Sequence, residues 1–313
     1  MRPDTPARRD RLVLRDGRRL SFTAVGPRAG RPVIYCHGAI GTPVEATVDL
    51  CRIADRVGVL YIAPNRPGIG DSDAQPGRTI LDFADDVEAL ADQLALERFS
   101  VLGVSAGGPY ALAIAQQLGD RVQRVSLCSA LSPFCAPHSA PGLRRRIGLP
   151  LAALAAAPAS ARMLGDAILP LLSRHPRLIT GVIAAHAAPS ERRRLAGRQE
   201  RLAASTSFLD ATSDGVGGLI EDFLTYADGW GFDPAAVTTE VQLWHGARDP
   251  LVPVEHALQL AAALRNCRIF VDPDEGHHFF RSSLEQILTA LVDAPGSGRA
   301  GSAGLLRAAQ RVR

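Results

Sequence analysis

The stretch from Phe99 to Ala113 constrains this chain more than any other. Phe99, Val101 and Leu102 favour a strand, Gly103-Val104-Ser105-Ala106-Gly107 breaks it, and an Ala/Leu-rich helical pattern follows at once. Strand, abrupt turn and helix in that order put Ser105 at the tip of the turn with its hydroxyl aimed outward. Gly103 and Gly107 stand where neighbouring elements come close to the backbone and a Cβ would collide. The helix that starts beside Ser105 brings free N–H groups and positive dipole character to the same point, where a developing oxyanion is stabilised. A dinucleotide fingerprint is excluded, because two places after Gly103 stands Ser105 instead of a glycine.

The elements around this turn predict an α/β chain. Segments 11–15 and 20–24 flank Asp16-Gly17, a hairpin signal. Val33–Cys36 is a continuous apolar run of the kind a buried parallel strand shows, Val59–Ile62 reads as another, and Val122–Cys128, Val241–His245 and Arg268–Val271 read as further strands of the sheet. Between them fall helical patterns near 44–56, from a capping box at Thr79-Ile-Leu-Asp82 to about Leu96, near 254–264 and near 283–292. Strands alternating with helices in this way give a mostly parallel central sheet with helices on both faces.

The alternation stops between Pro133 and Phe232, where Ala, Leu and Arg dominate and prolines recur. This stretch reads as an inserted helical lid. The expected organisation is therefore a core of residues 1–132 and 233–295, a lid of residues 133–232, and a flexible tail, 296–313, that ends in a short basic helix. The lid's Arg144–Arg146 and Arg192–Arg194 are read as wet helix faces. Its apolar residues, among them Leu149, Leu151, Leu154, Met163, Leu164, Ile168, Leu171, Phe208 and Phe223, are expected to face the core or a substrate pocket. Asp82, Asp85, Asp86 and Glu88 read as the solvated face of their helix.

Whole-chain composition narrows the function classes. A formal net charge of +3 over 313 residues gives no reason to expect nucleic acid as a partner. All basic charge is arginine, so lysine-based chemistry is excluded. Cys36, Cys51, Cys128, Cys135 and Cys267 show no metal-ligand spacing and read as reduced, mostly buried residues of a cytoplasmic protein. No metal or cofactor is expected. Met1 to Asp16 lacks an apolar signal core, and the longest apolar run, 147–161, is too short to span a bilayer and contains Pro150 and Pro158.

Three side chains placed at predicted strand ends carry the chemistry. Ser105 comes first, Asp249 follows within Gly246-Ala-Arg-Asp-Pro-Leu-Val-Pro253, and His277 lies in Gly276-His277-His278. The order Ser, acid, His, each at the carboxyl end of a parallel strand, is that of a nucleophile, an orienting acid and a general base. His37-Gly38-Ala39-Ile40-Gly41 ends another strand, and its glycines permit inward-turned N–H groups. The backbone N–H groups of Ala39 and Ala106 are the expected oxyanion donors. His37 reads as a loop anchor, His278 as a packing residue, and Asp274 and Glu275 as too near His277 in sequence to sit behind its ring.

With these residues in hand, the chain resembles the α/β-hydrolase superfamily, in its serine-nucleophile, esterase-like branch with a helical lid. The resemblance rests on His37–Gly41, Asn65-Arg-Pro-Gly-Ile-Gly-Asp-Ser72, Gly103–Gly108, Trp244–Pro253 and Gly276-His277, and it runs nearly full length outside the lid. It implies that His277 takes the proton of Ser105 as the hydroxyl attacks a carbonyl carbon. Asp249 then holds the imidazole, and an acyl-enzyme forms that water releases. Ser105 sets the chain apart from the dehalogenase and epoxide hydrolase branches, which use Asp at this place. The implied substrate is a small carboxylic ester, lactone or related acyl compound with an apolar part. Carbon–carbon bond hydrolysis, peptide release and acyl transfer on the same three residues stay open, as does a ligand-binding protein without turnover. Oligomeric state is not readable from the sequence.

Overall fold

A computed structural model describes residues 7–42, 47–133, 154–227, 229–293 and 310–311 of the chain. The hairpin signal at Asp16-Gly17 joins β1 (Arg8–Val13) to β2 (Arg19–Val25), with Gly17 at φ +89° in the turn. After β3 (Arg31–Cys36) come α1 (Thr47–Val57), β4 (Val59–Pro64), α2 (Asp82–Gln93) and β5 (Phe99–Val104). Then follow α3 (Gly107–Gln117) and β6 (Val122–Cys128). An insertion supplies α4 (Pro158–Arg174), α5 (Pro176–Ala185), α6 (Pro189–Leu195), α7 (Arg198–Ala211) and α8 (Gly217–Ala227). The sheet resumes with β7 (Val241–Gly246), α9 (Glu255–Ala263) and β8 (Cys267–Asp272), and α10 (Phe280–Val292) closes the main body.

The sheet order is β1-β2-β4-β3-β5-β6-β7-β8, extended by a two-residue strand, β9 (Gln310–Arg311). Pairing is parallel from β4 through β8 and antiparallel at both margins. Parallel strands buried on both faces must be apolar throughout, and every residue of β5 and of β7 is buried. One face packs against α2, α3 and α9 through Phe83, Val87, Tyr110, Leu112 and Leu260. The other packs against α1 and α10 through Leu50, Ile53, Leu284, Ile287 and Leu288. Parallel pairing brings the carboxyl ends of β3 to β8 to the same rim, which is where loops from different strands meet.

Several local expectations take a different form in the structure. The capping box is reciprocal, Thr79 N–H donating to Asp82 Oδ2 at 2.7 Å and Asp82 N–H to Thr79 Oγ1 at 3.3 Å. Of the acidic residues of α2, Asp85 and Glu88 are exposed, but Asp86 is buried. Arg18 reaches it from the hairpin with two bonds, at 2.7 and 3.0 Å, which is what permits a carboxylate there. In the insertion, Met163, Leu164, Ile168 and Leu171 lie on the exposed side of α4, contrary to expectation, and α4 buries no residue. Their apolar character alone suggested burial, but nothing among the described residues covers them. Leu154, Phe208 and Phe223 do pack inward. Arg192 and Arg193 are solvated as read, whereas Arg194 is ion-paired with Glu275. Gln310 and Arg311 pair with β8 as a strand, not as part of a basic helix. Leu149, Leu151, Cys135 and Arg144–Arg146 lie outside the described residues.

Candidate active site

The turn between β5 and α3 carries Ser105 at φ +54°, a left-handed conformation that a non-glycine residue adopts only when its surroundings impose it. Those surroundings are identifiable. Ser105 N–H donates to Cys128 O at 2.8 Å, while Ser105 O accepts from Gly108 N–H at 3.0 Å and Leu131 N–H at 3.2 Å. A Cβ on Gly107 would lie 2.1 Å from Cys36 O, and one on Gly103 would lie 2.8 Å from Ala111 Cβ. Both glycines of the turn are therefore sterically required.

Asp249 follows β7 and His277 follows β8, and the structure brings both to Ser105. His277 Nε2 lies 3.1 Å from Ser105 Oγ, and His277 Nδ1 lies 2.7 Å from Asp249 Oδ2. The carboxylate accepts at Nδ1, so that nitrogen carries the ring proton and Nε2 presents a lone pair to the serine hydroxyl. Asp249 is itself fixed, its Oδ1 accepting from Leu251 N–H at 2.9 Å and Val252 N–H at 2.8 Å. Burial pushes its carboxyl up, but the charge and hydrogen bond of His277, with Val252 N–H, outweigh this and hold it below the usual carboxylate range.

A second buried imidazole, His245, stands 3.6 Å from Asp249 Oδ2, donates from Nε2 to Val252 O at 2.8 Å, and is held toward its neutral form by burial. His278, the neighbour of His277, has its titration driven down to about 3 by burial and by His277 and Arg281. Asp274 and Glu275 point elsewhere, to Arg248 and Arg194.

Ala106 follows the serine at the start of α3, and Ala39 follows Gly38 in the loop after β3. Among the described residues neither backbone N–H has a hydrogen-bond partner. Gly38 lies directly over the turn, since a Cβ there would be 3.6 Å from Ser105 Cβ. His37 is a loop anchor: its Nδ1 bonds Gly38 O at 2.9 Å, its Nε2 accepts from Arg66 N–H at 3.3 Å, and burial with Arg66 nearby keeps it neutral down to about 3.

The loop's orientation comes from a residue the sequence marked only as a member of the Asn65–Ser72 motif. Fully buried Arg66 donates from Nη1 to His37 O at 2.5 Å and from Nη2 to Gly38 O at 2.9 Å. Gly38 O and Ala39 N–H belong to one peptide unit, and a peptide unit is planar. Holding the oxygen therefore sets the direction of the N–H.

Arg66 is held in turn by Asp222 of α8, Nε to Oδ2 at 2.7 Å, and Asp222 also binds Arg78 and accepts from Tyr110 OH at 3.1 Å. Nothing in the local sequence links Asp222 to Arg66. The same helix sends Tyr226 OH to Ala106 O at 2.9 Å.

With this geometry established, comparison with known proteins places the chain. The family model described as alpha/beta hydrolase fold matches residues 31–282. The chain belongs to the alpha/beta hydrolase family. Over 125 residues it is 29% identical to the uncharacterised hydrolase YcgS of Bacillus subtilis (strain 168), a match covering 40% of this chain and 43% of that protein. Among solved alpha/beta hydrolase structures, a hydrolase from Pseudomonas aeruginosa PA01 superposes with a TM-score of 0.69 at 19% identity, covering 91% of this chain and 98% of its own. A thermophilic esterase from Thermogutta terrifontis superposes with a TM-score of 0.64 at 21% identity, covering 90% and 96%. At such identities these structures speak to the fold.

Among the described residues no cluster of His, Cys, Asp or Glu is placed to hold a metal ion, and no helix is long and apolar enough to cross a membrane.

Proposed function

We propose that the protein is a serine hydrolase that cleaves a carboxylic ester, lactone or related acyl compound with an apolar part. The observation that carries this reading is the unbroken chain Asp249 Oδ2, His277 Nδ1, His277 Nε2, Ser105 Oγ, at 2.7 and 3.1 Å, with the serine in a left-handed turn. In the proposed reaction Ser105 Oγ attacks the carbonyl carbon as His277 takes its proton. The resulting oxyanion is received by Ala39 and Ala106 N–H, and His277 returns the proton to the leaving group. The acyl-enzyme is hydrolysed by a water that His277 deprotonates in the same way. Asp249 keeps the tautomer and stabilises the imidazolium.

We read residues 133–232 as the lid over this site and residues 1–132 with 233–295 as the core. The contacts of Asp222, Tyr226 and Glu191 with the loops after β4, β5 and β8 accord with that division. A cytoplasmic location accords with the four cysteines among the described residues, all buried and free, of which Cys36 and Cys267 have thiols pushed by burial up to about 12.

A fluorophosphonate probe and a chain-length series of p-nitrophenyl esters test the reading together. The probe is expected to label Ser105 alone, and Ser105→Ala to lower kcat/KM on the best ester by at least about 10⁴-fold. An unlabelled Ser105 in folded protein, or turnover unaffected by the substitution, overturns the reading. Supplying an alcohol as competing acceptor then separates hydrolysis from acyl transfer.

A further inference from the structure

We propose that Glu191, carried by α6 of the insertion, is a positioning residue for His277, fixing the Gly276–His278 turn so that the imidazole spans Asp249 and Ser105. The proposal rests on the hydrolase reading above and adds to it a dependence of the base on the insertion.

Glu191 is only 1% exposed, so it is not a solvated helix-face charge. Its Oε1 accepts the N–H of His278, the residue next to the base, and its Oε2 accepts Ala188 N–H at 3.1 Å. On the far side of the turn, Ser129 Oγ donates to His277 O at 3.2 Å. His277 O and His278 N–H belong to one peptide unit, so the backbone just after the imidazole is held from two directions, one of them the insertion. Gly276 completes the fit, because a Cβ there would lie 2.5 Å from both Ala188 Cβ and Glu191 Oε2.

Outlying bonds keep α6 seated on this turn. Ser190 Oγ donates to Asp274 O at 2.9 Å, and Arg194 Nη1 donates to Glu275 Oε1 and to Ser282 Oγ, both at 3.1 Å. The next helix, α7, is tied to α10 by Arg281, which donates to Glu200 Oε2 at 2.7 Å.

The chemistry of the side chain matters as much as its place. Two backbone donors converge on two oxygens, which a carboxylate satisfies completely; an amide would turn its own N–H₂ toward one of them. Burying a carboxylate is costly without such partners, so an ionisable residue here answers the turn's donors. Burial pushes the Glu191 carboxyl up and Asp249 nearby adds to this, while the N–H groups of Ala188 and His278 and the charge of His277 pull it back. The ionisable groups facing it are His277, His278 and Asp249 across the turn, with Glu275, Arg281 and Arg194 around the edge. A negative charge here favours the imidazolium that forms in the transition state.

Kinetics on the full-length protein with the best p-nitrophenyl ester test this, using Glu191→Gln, Glu191→Ala and Glu191→Asp. Expected for the isosteric Gln variant are a native circular dichroism spectrum, KM within about twofold, and a kcat fall of about tenfold or more, matched by slower fluorophosphonate labelling of Ser105. Removing the charge should also move the acidic limb of the kcat/KM profile to lower pH, since a less stabilised imidazolium releases its proton more readily. Ala should do no better than Gln, and Asp should restore the position of the limb in part.

Variants with kcat and limb within about twofold of the parent protein overturn the proposal, as does a loss confined to KM, which would make Glu191 a pocket residue. If Ala fails to fold, the Gln and Asp variants decide by the same criteria. Unfolding of all three would make Glu191 a structural residue and overturn the positioning role. Parent protein without Ser105-dependent turnover marks instead the failure of the hydrolase reading.

Discussion

At the scale of single residues, Asp249 shows how burial and partnership compete in one carboxylate. Burial alone would favour the protonated acid, but His277, with His245 and the Val252 N–H, reverses the sign. Linkage then has a definite direction. A carboxyl whose folded titration lies below its unfolded value of about 3.9 stabilises the fold above that pH and ceases to do so as pH falls through the folded value. Asp249→Asn is expected to cost about 10⁴-fold in kcat through the wrong tautomer of His277. In urea titrations its stability difference from the parent protein should narrow below roughly pH 4, where the parent's own Asp249 becomes protonated. A gap that widens on acidification would contradict the assignment of Asp249 as an ionised partner.

At the scale of elements, helix α8 is joined to the core by charge. Asp222 is fully buried between Arg66 and Arg78, and although burial opposes ionisation, the two guanidinium charges hold the carboxyl below its usual range. Removing it would leave two interior cations without their counter-charge. Asp222→Ala is therefore expected to lower the unfolding free energy by about 3–5 kcal/mol, measured by urea denaturation. In whatever fraction remains folded, kcat should fall too, because Arg66 would lose the partner that aims it at His37 O and Gly38 O.

The sequence showed the strands, the turn at Ser105 and the three strand-end side chains, because each is written in a run of neighbouring residues. It was silent on Asp222 and Glu191, which meet partners far along the chain: Arg66 lies 156 positions from Asp222, and His278 lies 87 from Glu191. Asp86 misled for the same reason, its partner Arg18 being 68 positions away. For α4, the apolar residues were legible without any sign of whether something packs on them.

At the scale of the whole molecule, the insertion divides the sheet in time as well as in space. Strands β6 and β7 are neighbours, yet all the residues of α4 to α8 are made between them. A chain growing from its amino end therefore holds β6 as a bare apolar edge throughout the synthesis of the insertion. Such an edge is a template for pairing with another chain. A chain ended at residue 240 is expected to aggregate when expressed, where the full-length protein stays in solution; a monodisperse truncated product would refute this. Asp249 and His277 lie beyond that point, so under the proposed mechanism no nascent chain would carry a working nucleophile until the last pair of parallel strands has closed. The ribosome would then release Ser105 only into a molecule that already holds its proposed base.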